Sequence, residues 1–128
     1  MPRKKSILII DDEKDFCYFV KKNLELVSDY KVLIATGGGK GMWYAYWHRP
    51  DLILLDIIMP GVDGFALLRK LKEDKRTMSI PVIMLTARND VECKTQAANL
   101  YSEDYIAKPV EIEALVSSIE NVLAKHMK

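Results

Sequence analysis

Five short apolar runs, SILII at 6–10, YKVLIA at 30–35, DLILLDI at 51–57, PVIMLTA at 81–87 and DYIA at 104–107, alternate with longer segments of helical period. No other feature narrows the fold as far. An unbroken run of Ile, Leu and Val marks a strand buried on both faces, and strands that alternate with helices lie parallel, each helix crossing a face of the sheet. In the first helical segment Phe16, Val20, Leu24 and Val27 fall on one stripe. In the last, Ile112, Leu115, Val116, Ile119 and Leu123 do the same, with Lys and Glu elsewhere. Right-handed crossovers then predict an α/β fold, a doubly wound five-stranded parallel sheet with helices on both faces and its ligands beyond the carboxyl ends of the strands.

A chain of 128 residues is the size of one ordinary domain, expected here over residues 1–128 with a basic leader at 1–5. Lys and Arg total 19 against 18 for Asp and Glu, a balance that gives no electrostatic case for direct nucleic-acid binding. No apolar run approaches the about 20 residues needed to cross a bilayer, and the amino end lacks a secretory signal, so the expectation is a cytoplasmic protein with no membrane partner. Cys17 and Cys93 form neither a CxxC pair nor a disulfide framework and are read as reduced structural thiols.

Each run carries polar residues at its carboxyl end: Asp11 and Asp12 after the first, Asp56 at the third, Thr86 after the fourth and Lys108 after the fifth. In the flavodoxin-like order 2-1-3-4-5 the first and third strands are neighbours, so Asp11, Asp12 and Asp56 converge. At about 5 Å and an effective dielectric near 20, each carboxylate pair repels by roughly 3 kcal/mol. Positive charge must offset this. Lys108 supplies one unit, and a divalent cation the rest; an all-oxygen donor set selects Mg²⁺, or Mn²⁺, over Zn²⁺. Acids, a hydroxyl and an ammonium around such an ion describe a site for a phosphoryl group, with Asp56 as the nucleophile.

The motifs IIDDE at 9–13, LLDIIMPGVDG at 54–64, MLTA at 84–87 and DYIAKP at 104–109 occur in that order at those strand ends. The chain resembles the receiver domain of two-component response regulators, chemotaxis-receiver-like, from about residue 7 to residue 123. The resemblance implies that Asp56 is the phosphoacceptor, and that Asp12, Asp56 and the backbone carbonyl of Ile58 hold the metal, with Asp11 reaching it through water. It further implies that Lys108 pairs with the phosphoryl group, that the Thr86 hydroxyl moves to it, and that Tyr105 is the switch aromatic, turning from exposed to buried. The Lys108–Pro109 bond would be cis. By the same likeness the phosphoryl group comes from a sensor histidine kinase or phosphotransfer protein, the domain catalyses only its own phosphorylation and dephosphorylation, and its output is protein contact with a downstream protein or output domain.

Two other classes share part of this pattern. A flavodoxin-like cofactor binder needs a Ser/Thr/Gly-rich phosphate loop where this chain has acidic DDE, and a haloacid-dehalogenase-type phosphatase begins with DxDxT where this chain has Asp11, Asp12, Glu13, Lys14 and Asp15. GGGKG at 37–41 lacks the ending of a P-loop and is expected to be a flexible loop. In KGMWYAYWHR, Gly41, Met42 and Ala45 should face the sheet, leaving Trp43 and Trp47 adjacent with Tyr46 beside them, a candidate docking or self-association patch. Tyr101 stands where receivers usually carry Gly; because a Tyr resists positive φ, the turn there is expected to differ. Ile58 and Arg88 should flank the site and control the access of water to it.

Overall fold

The computed structural model describes residues 4–126. Its elements are β1 Lys5–Ile10, α1 Lys14–Val27, β2 Tyr30–Ala35, α2 Gly38–His48, β3 Leu52–Leu55, β4 Ile58–Met59, β5 Val62–Asp63, α3 Gly64–Glu73, β6 Val82–Thr86, α4 Val91–Asn99, β7 Asp104–Ala107 and α5 Ile112–His126. The main sheet runs β2-β1-β3-β6-β7, every pair parallel, which is the expected order 2-1-3-4-5 once the small β4–β5 hairpin is set aside. That hairpin is antiparallel, Ile58 pairing with Asp63 and Met59 with Val62. Of the leader expected at 1–5, the first three residues lie outside the described range, and Lys5 already belongs to β1.

The central strands are apolar throughout because both faces are covered. Along β1, Leu8 and Ile10 enter one core with Ile53, Leu55, Leu68, Leu71 and Met84; Ile7 and Ile9 enter the other with Leu54, Ile83, Leu115 and Ile119. The period-2 pleat thus assigns alternate residues to the layer of α2, α3 and α4 or to that of α1 and α5. In α1 the buried stripe is Cys17, Val20 and Leu24; Val27, expected inside, is 55% exposed because the helix ends there. Both cysteines are free and buried.

Two expectations about the backbone are corrected. The GGGKG segment is not a loop: Gly38 opens α2. A Cβ at Gly38 would meet the Val62 side chain at 2.7 Å, and one at Gly41 would meet Ile10 at 2.7 Å. Small residues are what let this helix lie close to the sheet, and that packing outweighs their poor helix propensity. Tyr101 takes φ 67°, the left-handed conformation itself. It sits at the end of α4, where its N–H donates to Ala98 O at 3.0 Å and the N–H of Ser102 donates to Ala97 O at 3.0 Å, a Schellman closure. Those two bonds hold a Tyr where the steric cost would ordinarily call for Gly.

Among the aromatic residues of α2 the tryptophan pair is as expected and Tyr46 is not. Trp43 and Trp47 are exposed with ring centroids 6.4 Å apart, and Tyr44 and His48 stack edge-on beside Trp43. Tyr46 turns away, donating to Asp74 at 2.8 Å beneath the Arg76 guanidinium.

Candidate functional site

The ladder of the main sheet continues one residue past its strands and fixes the acids at one height. The N–H of Asp11 donates to Ala35 O at 3.0 Å, and that of Asp56 donates to Ile10 O at 3.1 Å. Carboxylate oxygens of Asp11, Asp12 and Asp56 consequently lie within 4.8 Å of one another. Asp11 and Asp56 are buried and Asp12 is half-buried. On the other side, the N–H of Lys108 donates to Thr86 O at 2.8 Å, which seats Lys108 beyond β7, and the Lys108–Pro109 bond is cis.

The Lys108 ammonium lies 2.7 Å from Asp11 Oδ2, 2.7 Å from Glu13 Oε1 and 3.4 Å from Asp56 Oδ2. Burial alone would lower its pKa, but the hydrogen bonds to Asp11 and Glu13 outweigh that and raise it above the ordinary lysine value. Asp11 is pushed up, chiefly by burial; its bonds from Lys108 and from the Glu13 N–H, 3.0 Å from Oδ1, pull partly the other way. The remaining Asp56 oxygen accepts from the Ile58 N–H at 3.3 Å. Asp12 has no hydrogen bond or ion pair among the described residues. Three carboxylates against one ammonium leave a surplus of negative charge on a donor set made wholly of oxygen, and such a set suits a hard divalent ion.

The backbone around Asp56 is held by α3. Gly64 N–H donates to Ile57 O at 2.9 Å, and a Cβ on Gly64 would stand 2.3 Å from Asp56 O and 2.5 Å from Ile57 Cα. Only glycine permits that approach. Gly61, at φ 71°, turns the intervening hairpin.

Thr86, fully buried at the end of β6, accepts from the Arg88 N–H at 3.4 Å, and the Tyr105 hydroxyl donates to Arg88 O at 2.5 Å. The Arg88 peptide therefore bridges the two. The Tyr105 ring, expected to start exposed, is half-buried against the core, and burial raises its phenol to about 12. Ile58 is 52% exposed beside the site, and Arg88 points outward to Asp90 at 3.1 Å.

The structure thus gathers Asp11, Asp12, Asp56 and Lys108 directly, with Thr86, Ile58 and Tyr105 on the same edge. Two contacts were missed by sequence reasoning. Glu13 was read only as a letter of the acidic motif, and Phe16 only as core, yet its ring centre lies 4.2 Å from the Lys108 ammonium. Position in the DDE motif was the one signal for Glu13; Phe16 gave none.

The family model "Response regulator receiver domain" matches residues 7–120. The chain is 40% identical over 125 residues to the DNA-binding dual master transcriptional regulator RpaA of Synechocystis, covering 98% of this chain but 50% of RpaA. It spans only about half the length of that relative and of several others like it. Protein PilH of Pseudomonas aeruginosa is 39% identical over 118 residues, covering 92% of this chain and 97% of PilH. A CheY-like response regulator receiver domain protein from Methanospirillum hungatei superposes with a TM-score of 0.89 at 30% identity, over 96% of each chain.

Proposed function

The chain belongs to the receiver domains of two-component response regulators, and from that premise we propose that Asp56 is its phosphoacceptor. Domains of this family are signalling modules that bind Mg²⁺ at an acidic pocket and work with histidine kinases and output domains. The flavodoxin-like cofactor binder and the haloacid-dehalogenase-type phosphatase have no support in these relationships.

The observation that carries the assignment is the clustering of the Asp56 carboxylate with two further acids, all within 4.8 Å of one another, with the Lys108 ammonium 3.4 Å from Asp56. An Asp56 oxygen attacks the phosphorus of a phosphohistidine on the sensor kinase or phosphotransfer protein. The new O–P bond forms as the P–N bond breaks, and the electron pair returns to the imidazole. Lys108 and the Thr86 hydroxyl meet the added phosphoryl oxygens, and water later hydrolyses the acyl phosphate. The domain so acts only on itself. Asp12, Asp56 and the Ile58 carbonyl, with Asp11 through water, would hold Mg²⁺, which when bound offsets the charge of the acids and of the phosphoryl oxygens.

The Arg88 peptide supports a switch through Thr86 and Tyr105. Once the Thr86 hydroxyl turns to the phosphoryl group, the Arg88 N–H loses its acceptor, and the carbonyl that holds the Tyr105 hydroxyl is free to move. The surface of α4, β7 and α5 then changes for a downstream protein or output domain. We read residues 1–128 as one receiver domain acting in the cytoplasm; no helix among the described residues is long and apolar enough to cross a membrane. The exposed Trp43–Trp47 face is a candidate for self-association, and an unaltered sedimentation profile on replacing both would remove it.

The deciding experiment is incubation with Mg²⁺ and acetyl phosphate. One phosphoryl mass should appear on the wild type and be absent from Asp56→Asn; retention of the label in that variant refutes the assignment.

A further inference from the structure

Glu13 is a poor choice for the place it occupies. It is the N-cap of α1, where Ser, Thr, Asp or Asn would accept from the helix's free N–H groups, and its side chain makes no capping bond. The carboxylate reaches instead across 95 residues of sequence to Lys108, at 2.7 Å, while remaining 61% exposed. An ammonium has three protons to donate. Two are engaged at 2.7 Å by Asp11 and Glu13, and Asp56 is left the long contact of 3.4 Å. The Phe16 ring, 4.2 Å from Nζ, bounds the ammonium on a further side. Asp11 belongs to the acidic cluster and is needed there; the Glu13 carboxylate lies outside it and has no other hydrogen bond or ion pair among the described residues.

We propose that Glu13 is a positioning residue that holds the Lys108 ammonium back from Asp56 in the resting protein and competes for it with the arriving phosphoryl group. The proposal rests on the reading of Asp56 as the acceptor. When acetyl phosphate reacts, the Asp56 O–P bond forms, the bond from phosphorus to the acetyl oxygen breaks and acetate leaves with the electron pair; no proton need move. Charge on the transferring oxygens must draw Lys108 inward, and Glu13 opposes that movement. Releasing the tether speeds acquisition of the phosphoryl group.

The test is phosphorylation of the intact protein by acetyl phosphate with Mg²⁺, compared across Glu13→Gln, Glu13→Asp and each of these combined with Lys108→Ala. Glu13→Gln should raise the rate constant by about two- to fivefold, the range that a partly exposed ion pair allows. Glu13→Asp keeps the charge but is one methylene too short, and should accelerate likewise. In the Lys108→Ala background neither change should matter. A slower Glu13→Gln variant, a Glu13→Asp variant that behaves as wild type, or acceleration that persists without Lys108 would each overturn the proposal, the last two by reducing Glu13 to a distant charge. The Lys108 side-chain resonance, read by NMR without any phosphodonor, should shift in Glu13→Gln, and an unshifted resonance also refutes the tether. A wild type that takes up no phosphoryl group counts against the Asp56 reading instead, and the resonance then decides the tether by itself.

Discussion

Replacing Asp12 by Asn should make the metal-free protein more stable, and the structure sets the size of the effect. An Asp12 oxygen lies within 4.8 Å of oxygens on both Asp11 and Asp56. At an effective dielectric of about 20, each of those two repulsions is worth about 3.5 kcal/mol. Asp12 is half-buried, so water weakens both, and at the dielectric of bulk water each falls to about 0.9 kcal/mol. Lys108 spends its attraction on Asp11, Glu13 and Asp56 and touches Asp12 at none of its contacts. Asn has the same shape, and Asp12 makes no hydrogen bond that Asn would lose. A gain of about 2 kcal/mol follows, which for a domain of this length moves the melting temperature by about 7 °C. Mg²⁺ should reverse the order: at one hundred times its dissociation constant it stabilises the wild type by about 2.7 kcal/mol, whereas Asp12→Asn, short of a ligand, responds little. Urea unfolding of both proteins in EDTA and in saturating Mg²⁺ checks both halves. If Asp12→Asn is no more stable than wild type in EDTA, or if the two respond equally to Mg²⁺, the crowding of charge at this edge is not what governs the site.

Tyr101→Gly should stabilise the fold by roughly 0.5–1 kcal/mol, the left-handed penalty relieved less the added entropy of a glycine in the unfolded chain; a loss of stability on urea titration would mean that the Tyr101 side chain contributes more than its backbone costs. Gly64→Ala places a methyl group 2.3 Å from Asp56 O. It should lower both the melting temperature and the rate of acetyl phosphate labelling, and a variant unchanged in both would show that α3 can withdraw without disturbing Asp56. Lys108 has a raised pKa in the folded state, so its contribution to stability is complete below pH 10.5 and is lost as pH rises through the folded value. The stability difference between wild type and Lys108→Met should accordingly stay constant up to that pH and shrink above it, and a difference that instead grew with alkali would contradict the sign of the shift.

The strands and their order were readable because double-sided burial leaves a local mark: Leu52 to Leu55 are apolar at every position, and the Pro and Gly after Asp56 announce the turn. The acids and Lys108 were readable for the same reason, since each follows a recognisable run and parallel strands bring their carboxyl ends to one edge. Local patterns carried no information on which face a helical aromatic would take. Tyr46 left the tryptophans for Asp74, 28 residues away, because a phenol gains a hydrogen bond there. Nor could propensity reveal that Gly38 and Gly41 would be helical, since what favours them is the closeness of Val62 and Ile10.

What the sequence settled by itself, then, is the layered sheet and the set of chemical groups at its edge, because burial and turning are written into neighbouring residues. What the tertiary structure alone decided is how those groups divide one ammonium. Lys108 binds Asp11 and Glu13 more closely than Asp56, a choice made by register across 97, 95 and 52 residues of chain and by the reach of each side chain, and no pattern within a single segment encodes it.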